Sequence, residues 1–128
     1  MTKGRIEFDP VSNQVIGCAL EVHTQLGPGL LESAYKQCLA HELRLAEVPF
    51  ELEFPLPVPY KGIQLDCGYR LDLLVDRQLI VELKSVNAIL PIHEAQLLTY
   101  LKLAHVHAGL LINFNAVHLR DGIKRLVL

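Results

Sequence analysis

The sequence predicts an α/β fold of the α+β kind, a mixed sheet begun by an antiparallel meander and flanked by helices, in the order ααβββαββ. Three observations predict it. Two stretches near the N-terminus carry apolar residues at helical spacing. From Phe50 onward the apolar period drops to two and is punctuated by short turns. A proline at 91 then opens one more helical stretch before the strands resume.

Taken in order, residues 11–26 place Val11, Val15, Cys18/Ala19, Val22 and Leu26 on one helical face. Gly27-Pro28-Gly29 must end that helix, because this tripeptide cannot lie in a helix interior. Residues 30–47 restart the period through Leu31, Tyr35, Cys38/Leu39 and Leu43. Phe50, Leu52, Phe54, Leu56, Val58 and Tyr60 then alternate strictly, which predicts a strand with one core face. Pro55, Pro57 and Pro59 have the opposite parity, so this strand belongs at an edge or ends early. Lys61-Gly62 turns into a second strand, about 63–75, and residues 76–78 turn into a third, about 79–85. The helix of 91–104 follows, then strands at 109–114 and about 117–120, with the tail 123–128 extended or a further strand.

The length of 128 residues fits one domain covering 1–128. With 51% hydrophobic and 20% charged residues the chain has enough apolar surface for a packed core. No apolar run reaches the ~18–20 residues of a membrane span. The opening MTKGRIEFDP lacks a signal-peptide core, and three cysteines show no CxxC spacing. These features predict a cytoplasmic protein without a disulfide framework or a zinc knuckle. Net charge is −2, which is not the basic excess of a dedicated nucleic-acid binder. The nearest approach to a basic cluster, Arg120, Lys124 and Arg125, reads as a solvated face.

The chemistry-bearing stretch is YRLDLLVDRQLIVELKS, residues 69–85. Asp72, Glu82 and Lys84 interrupt apolar strand runs, where ionised groups are expensive unless compensated. A three-residue loop, Asp76-Arg77-Gln78, pairs Val75 with Leu79, Leu74 with Ile80 and Asp72 with Glu82, whereas a two-residue loop pairs Asp72 with Val81 and leaves Glu82 out of line. The three-residue register sets the two carboxylates opposite each other, Cα atoms about 4.5–5.5 Å apart. Lys84, two residues beyond Glu82, shares its face. Two readings relieve the repulsion: a buried ion triad bridged by Lys84, or a divalent cation held by hard carboxylate oxygens.

Asp72 followed, across a hairpin, by Glu82-Leu83-Lys84 resembles the D…(D/E)xK signature of the PD-(D/E)XK nuclease superfamily. Gly29-Leu30-Leu31-Glu32-Ser33-Ala34-Tyr35 resembles the GxxExxY family within it, as do the blocks EVHTQLGPGLLESAY, ELKS, EAQLLTYLKL and GLLINF. The resemblance covers about residues 11–128; the literal PD is absent, since Asp72 follows Arg70-Leu71. It implies an αβββαβ core and a Mg²⁺ (or Mn²⁺) site of Asp72, Glu82 and the Leu83 backbone carbonyl, with Glu32 completing the shell. It further implies that Lys84 positions or activates the attacking water. Gln96 and Tyr100 match the QxxxY motif that helps to hold the substrate strand.

Each supporting residue also has a structural explanation. With Gly29 as cap, Glu32 stands at N3, where it can reach back to the cap amide. Tyr35 fits a core tyrosine with a satisfied hydroxyl. His23 reads as a structural histidine, and His105 and His107 form an HxH pair without a third ligand. Two functions follow: a metal-dependent phosphodiesterase acting on DNA, or a catalytically inactive nuclease-like fold kept as a binding or assembly module. At −2 a monomer would hold long DNA poorly, which predicts a homodimer or short, structured substrates.

Overall fold

The computed structural model describes residues 8–128, so most of the N-terminal stretch MTKGRIEFDP, residues 1–7, lies outside the described residues. Helix α1, Pro10–Leu26, begins with proline at its first position, where no amide is needed. Its cap residue Asp9 accepts a hydrogen bond from the Ser12 hydroxyl at 3.1 Å. Gly27, at φ 73°, ends it in a conformation that favours glycine. Helix α2 spans Glu32–Leu45, and its cap is Leu31 rather than Gly29. Glu32 is therefore the first helical residue, not the third, and the reciprocal capping expected of it is not made.

The strands are β1 (Phe50–Pro55), β2 (Val58–Tyr60), β3 (Ile63–Leu65), β4 (Arg70–Val75) and β5 (Leu79–Lys84). After helix α3, Pro91–Ala104, come β6 (Ala108–Asn113) and β7 (Ile123–Val127). The main sheet has the order β1-β4-β5-β6-β7. Only β5 and β6 run parallel, joined through α3; the other neighbours are antiparallel. The main-sheet elements thus follow the order ααβββαββ that the sequence predicts.

Three strand expectations are corrected. The alternating stretch from Phe50 to Tyr60 is not one strand, and neither is 63–75. The chain leaves the sheet after Pro55, and β2 and β3 pair only with each other as a separate two-stranded arm. Alternation records which side chains face the same way, but not which sheet a strand joins. Residues 117–120 are not a strand either: a 3-10 turn at Leu119–Gly122 precedes β7.

The core has two layers. Leu73, Val75, Leu79, Val81, Leu83, Leu110 and Ile112 face α1 and α2, packing on Val15, Ala19, Tyr35, Leu39 and Leu43. Leu74, Ile80 and Leu111 face the other way onto Leu97 and Leu101 of α3. None of the helices is long and apolar enough to cross a membrane among the described residues.

Gly122 is enclosed: a Cβ there would stand 2.5 Å from the Asn113 carbonyl oxygen and 3.0 Å from the Ala116 Cβ. Gly122→Ala is expected to cost about 1–3 kcal/mol, because a backbone carbonyl has to move. Thermal unfolding of the purified variant checks this, and an unchanged midpoint would contradict the packing described.

Candidate functional site

The hairpin β4–β5 adopts the favourable register, with Leu73 opposite Val81, Leu74 opposite Ile80 and Val75 opposite Leu79. The regular ladder then stops one position short of the carboxylates. Asp72 is the one residue of β4 without a ladder partner on either side, since the Glu53 position opposite it in β1 is also unpaired. Glu53 has φ 52°, a left-handed conformation that costs a non-glycine residue of order 1–3 kcal/mol. The face alternation breaks at the same place: Leu71 joins Leu74 on the α3 side, while Leu73 faces α1 and α2.

Freed from the ladder, the two acids exchange bonds with each other's main chain. The Asp72 amide donates to Glu82 Oε2 at 2.7 Å, and the Leu83 amide donates to Asp72 Oδ2 at 2.8 Å. Each carboxylate is thereby fixed beside the other by a charge-assisted bond. The N–H and C=O of a strand residue share an edge, so the Leu83 carbonyl lies on the same edge as the amide that Asp72 holds.

The cation that pairs with this site is not the one the sequence reading named. Lys84 makes no ion pair with either acid among the described residues. Instead Lys36 of α2 donates to Asp72 Oδ1 at 3.2 Å and to Glu53. The bridged triad envisaged for Lys84 is therefore absent. Lys36 lies four residues after Glu32, on the same helical face, and that spacing was the available signal.

The acids of the pocket do not all ionise as readily as free carboxyls. Glu82 is 7% exposed. Burial, reinforced by the neighbouring Asp72 charge, pushes its carboxyl up to about 8, against the pull of the Asp72 amide and of Lys84. Glu32 is also raised, first by burial and then by Asp72, while Lys84, Lys36 and His93 oppose the rise. Burial lowers the Lys36 ammonium, but its bonds to Glu53 and Asp72 outweigh that and leave it raised. Tyr100 is raised by burial, then by the charge of Glu82, by Tyr69 and by Asp72.

Of the residues singled out in the sequence, Asp72, Glu82, Lys84, Glu32 and Tyr100 thus lie within one another's fields. Gln96 is exposed on α3 and bonds to none of them among the described residues. Tyr35 is fully buried and structural: its hydroxyl donates to the Gly27 carbonyl at 2.6 Å and accepts the Leu30 amide at 3.0 Å. Its ring stacks on Phe114 at 4.5 Å. His23 bonds the Ala116 carbonyl at 2.8 Å, and the backbone of His105 ends α3 in a left-handed conformation. His107 bonds the Leu128 carbonyl. Lys124 pairs with Glu94 and Arg125 with Asp9, so two of the three basic residues near the C-terminus are already engaged.

The loops around the acids are tied together. The Ser85 hydroxyl donates to the Leu30 carbonyl at 2.6 Å, and buried Asn113 bonds both backbone groups of Val86 and the Asn115 amide. Ser85 and Asn113 lie in the blocks ELKS and GLLINF, but their roles are not legible there, because their partners are main-chain groups brought close only by the fold.

Among the described residues no three His, Cys, Asp or Glu side chains form a ready metal cage. The donor set still suits a hard divalent cation. Mg²⁺ is commonly held by one or two carboxylates together with waters and substrate phosphates. A cation beside Glu82 would also favour the ionised carboxylate that burial and the Asp72 charge disfavour.

A family model described as the PD-(D/E)XK nuclease superfamily matches residues 9–126. No curated protein and no solved structure gives a match.

Proposed function

Because the chain belongs to the PD-(D/E)XK nuclease superfamily, we propose that it is a Mg²⁺- or Mn²⁺-dependent phosphodiesterase that cleaves DNA, built as one domain. The observation that carries the reading is the reciprocal clamp of Asp72 and Glu82, with Lys84 two residues beyond and Glu82 buried beside the Asp72 charge. Glycine, glutamate and tyrosine at 29, 32 and 35 support its assignment to the GxxExxY group. Free Cys18, Cys38 and Cys67 suit a reducing, cytoplasmic setting. The −2 charge supports a homodimer whose second copy extends the groove.

Asp72, Glu82 and the Leu83 carbonyl would hold the cation, with Glu32 at its margin. When bound, it would polarise the scissile phosphate and lower the pKa of a coordinated water. Main-chain amides already hold both Asp72 and Glu82 in place for this. Lys84, unpaired among the described residues, can meet charge developing on a phosphate oxygen. Tyr100, a protonated phenol in the field of the two acids, can donate its hydroxyl to the substrate strand. Gln96, one turn earlier on α3, is free to meet the same strand.

A second reading, an inactive binding or assembly module, draws on Lys36: a lysine already pairs with Asp72 where a cation would compete for it. One assay separates the two. Cleavage of single-stranded, duplex and branched DNA is expected with Mg²⁺ or Mn²⁺, lost on chelation and in Lys84→Ala. Activity that survives both Glu82→Ala and Lys84→Ala would refute this mechanism. Failure of millimolar Mn²⁺ to raise the melting temperature would favour the module.

A further inference from the structure

We propose that Tyr69 is a stacking platform for one unpaired base beside the carboxylate pair, so that the substrate class is single-stranded or locally unpaired nucleic acid. The inference rests on the phosphodiesterase reading above and adds to it what the site grips.

Placement comes first. Residues 59–70 are all exposed and run from the β2–β3 arm straight into β4, with Tyr69 three residues before Asp72. The backbone there is fixed: the Leu56 amide donates to the Tyr69 carbonyl at 2.9 Å. Gly68, at φ 77°, makes the turn just before, and its amide donates to Asp66 Oδ1 at 3.1 Å. A rigid tether under an exposed ring is what a stacking contact needs if little order is to be gained on binding.

The ring is also available. Tyr69 is 48% exposed. Its nearest aromatic neighbour, Tyr100, stands 6.5 Å away and tilted by 54°, so it braces the ring without lying across its face. Tyr60, the other exposed tyrosine, has the Lys61 ammonium over its ring at 5.5 Å. Among the described residues no cation lies over Tyr69.

Electrostatics then selects the substrate. At a net charge of −2 the chain gains little from phosphate contacts, which dominate duplex binding. Stacking does not depend on charge or on sequence, since every base has a π-face. In a duplex those faces are covered by neighbouring bases. A base beside the scissile phosphate is open to Tyr69 only in a single strand, a flap or a bulge.

The test uses the full chain in chelator, which prevents cleavage, with a fluorescent single strand of about 12 nucleotides carrying 2-aminopurine, and the matching duplex. Expected results are single-strand binding roughly tenfold tighter than duplex binding, with 2-aminopurine quenched. Tyr69→Ala is expected to weaken single-strand binding by roughly 5- to 100-fold and to abolish the quenching, while Tyr69→Phe stays within about twofold. Wild-type affinity in Tyr69→Ala, a loss in Tyr69→Phe equal to that in Tyr69→Ala, or duplex binding as tight as single-strand binding would each overturn the proposal. Cleavage with Mn²⁺ is scored separately. Binding of the expected pattern without cleavage supports the platform and counts only against the phosphodiesterase reading.

Discussion

Glu82→Gln is expected to abolish cleavage while making the metal-free protein more stable at alkaline pH. The activity loss should be roughly a thousandfold or more, since one preorganised electrostatic group alone is worth about 10²–10³ in kcat. The stability gain follows from the raised acid. The folded-state carboxyl stands at about 8 against an ordinary 4.5, so the folded protein binds this proton more tightly than the unfolded chain does. Stability from this group is therefore complete below pH 4.5 and is lost as pH rises through the window from 4.5 to about 8. The slope approaches about 1.4 kcal/mol per pH unit. Glutamine keeps the amide contact and the volume but has no proton to lose, so the slope attributable to this position should vanish. Denaturant unfolding at several pH values in chelator measures it. Equal slopes in wild type and variant would show that Glu82 does not carry the shift. Saturating Mn²⁺ should flatten the wild-type curve in the same way, because a bound cation stabilises the ionised form.

Tyr35→Phe is expected to lower the melting temperature by roughly 4–10 °C. The substitution keeps the ring stacked on Phe114 and removes only the hydroxyl. Two main-chain groups then lose a partner at once, the Gly27 carbonyl and the Leu30 amide. Leaving them unsatisfied costs about 1–3 kcal/mol, the lower end applying where water reaches the exposed Leu30. Cleavage should fall as well, measured well below the melting point, because the loosened loop leads directly into Glu32. A variant that melts within a degree of wild type would show that the hydroxyl does not hold this loop.

Much of this site could be read from the chain because strand geometry is strict. Counting three loop residues after Val75 was enough to bring Asp72 and Glu82 together, since a period of two leaves no freedom once the register is set. Tyr35 and His23 could be read as structural because buried rings with polar tips find main-chain partners. What escaped depended on departures from regularity. The left-handed Glu53 and the missing ladder pairs around Asp72 leave no mark in a hydrophobic pattern. Lys36 left no signal in the strand pattern, because the cation that pairs with Asp72 comes from a helix 36 residues away in sequence. Glu32 was placed at N3 because Gly29 looks like a cap; the helix instead starts after Leu31, which offers no capping side chain. The β2–β3 arm was absorbed into longer strands because its residues keep the same alternation as the sheet strand before it.

The three tied loops give the site a collective property. Tyr35 holds the 27–30 loop, Ser85 joins that loop to the end of β5, and Asn113 joins the residues after β5 to those after β6. His23 anchors the far end through Ala116. Each tie joins a different pair of segments, so each of the three loops is held at two points. Held in this way, the loops are expected to show amide protection above that of singly tied surface loops, which hydrogen exchange measures. Geometry at the acids is then set by the fold itself, before any ligand binds.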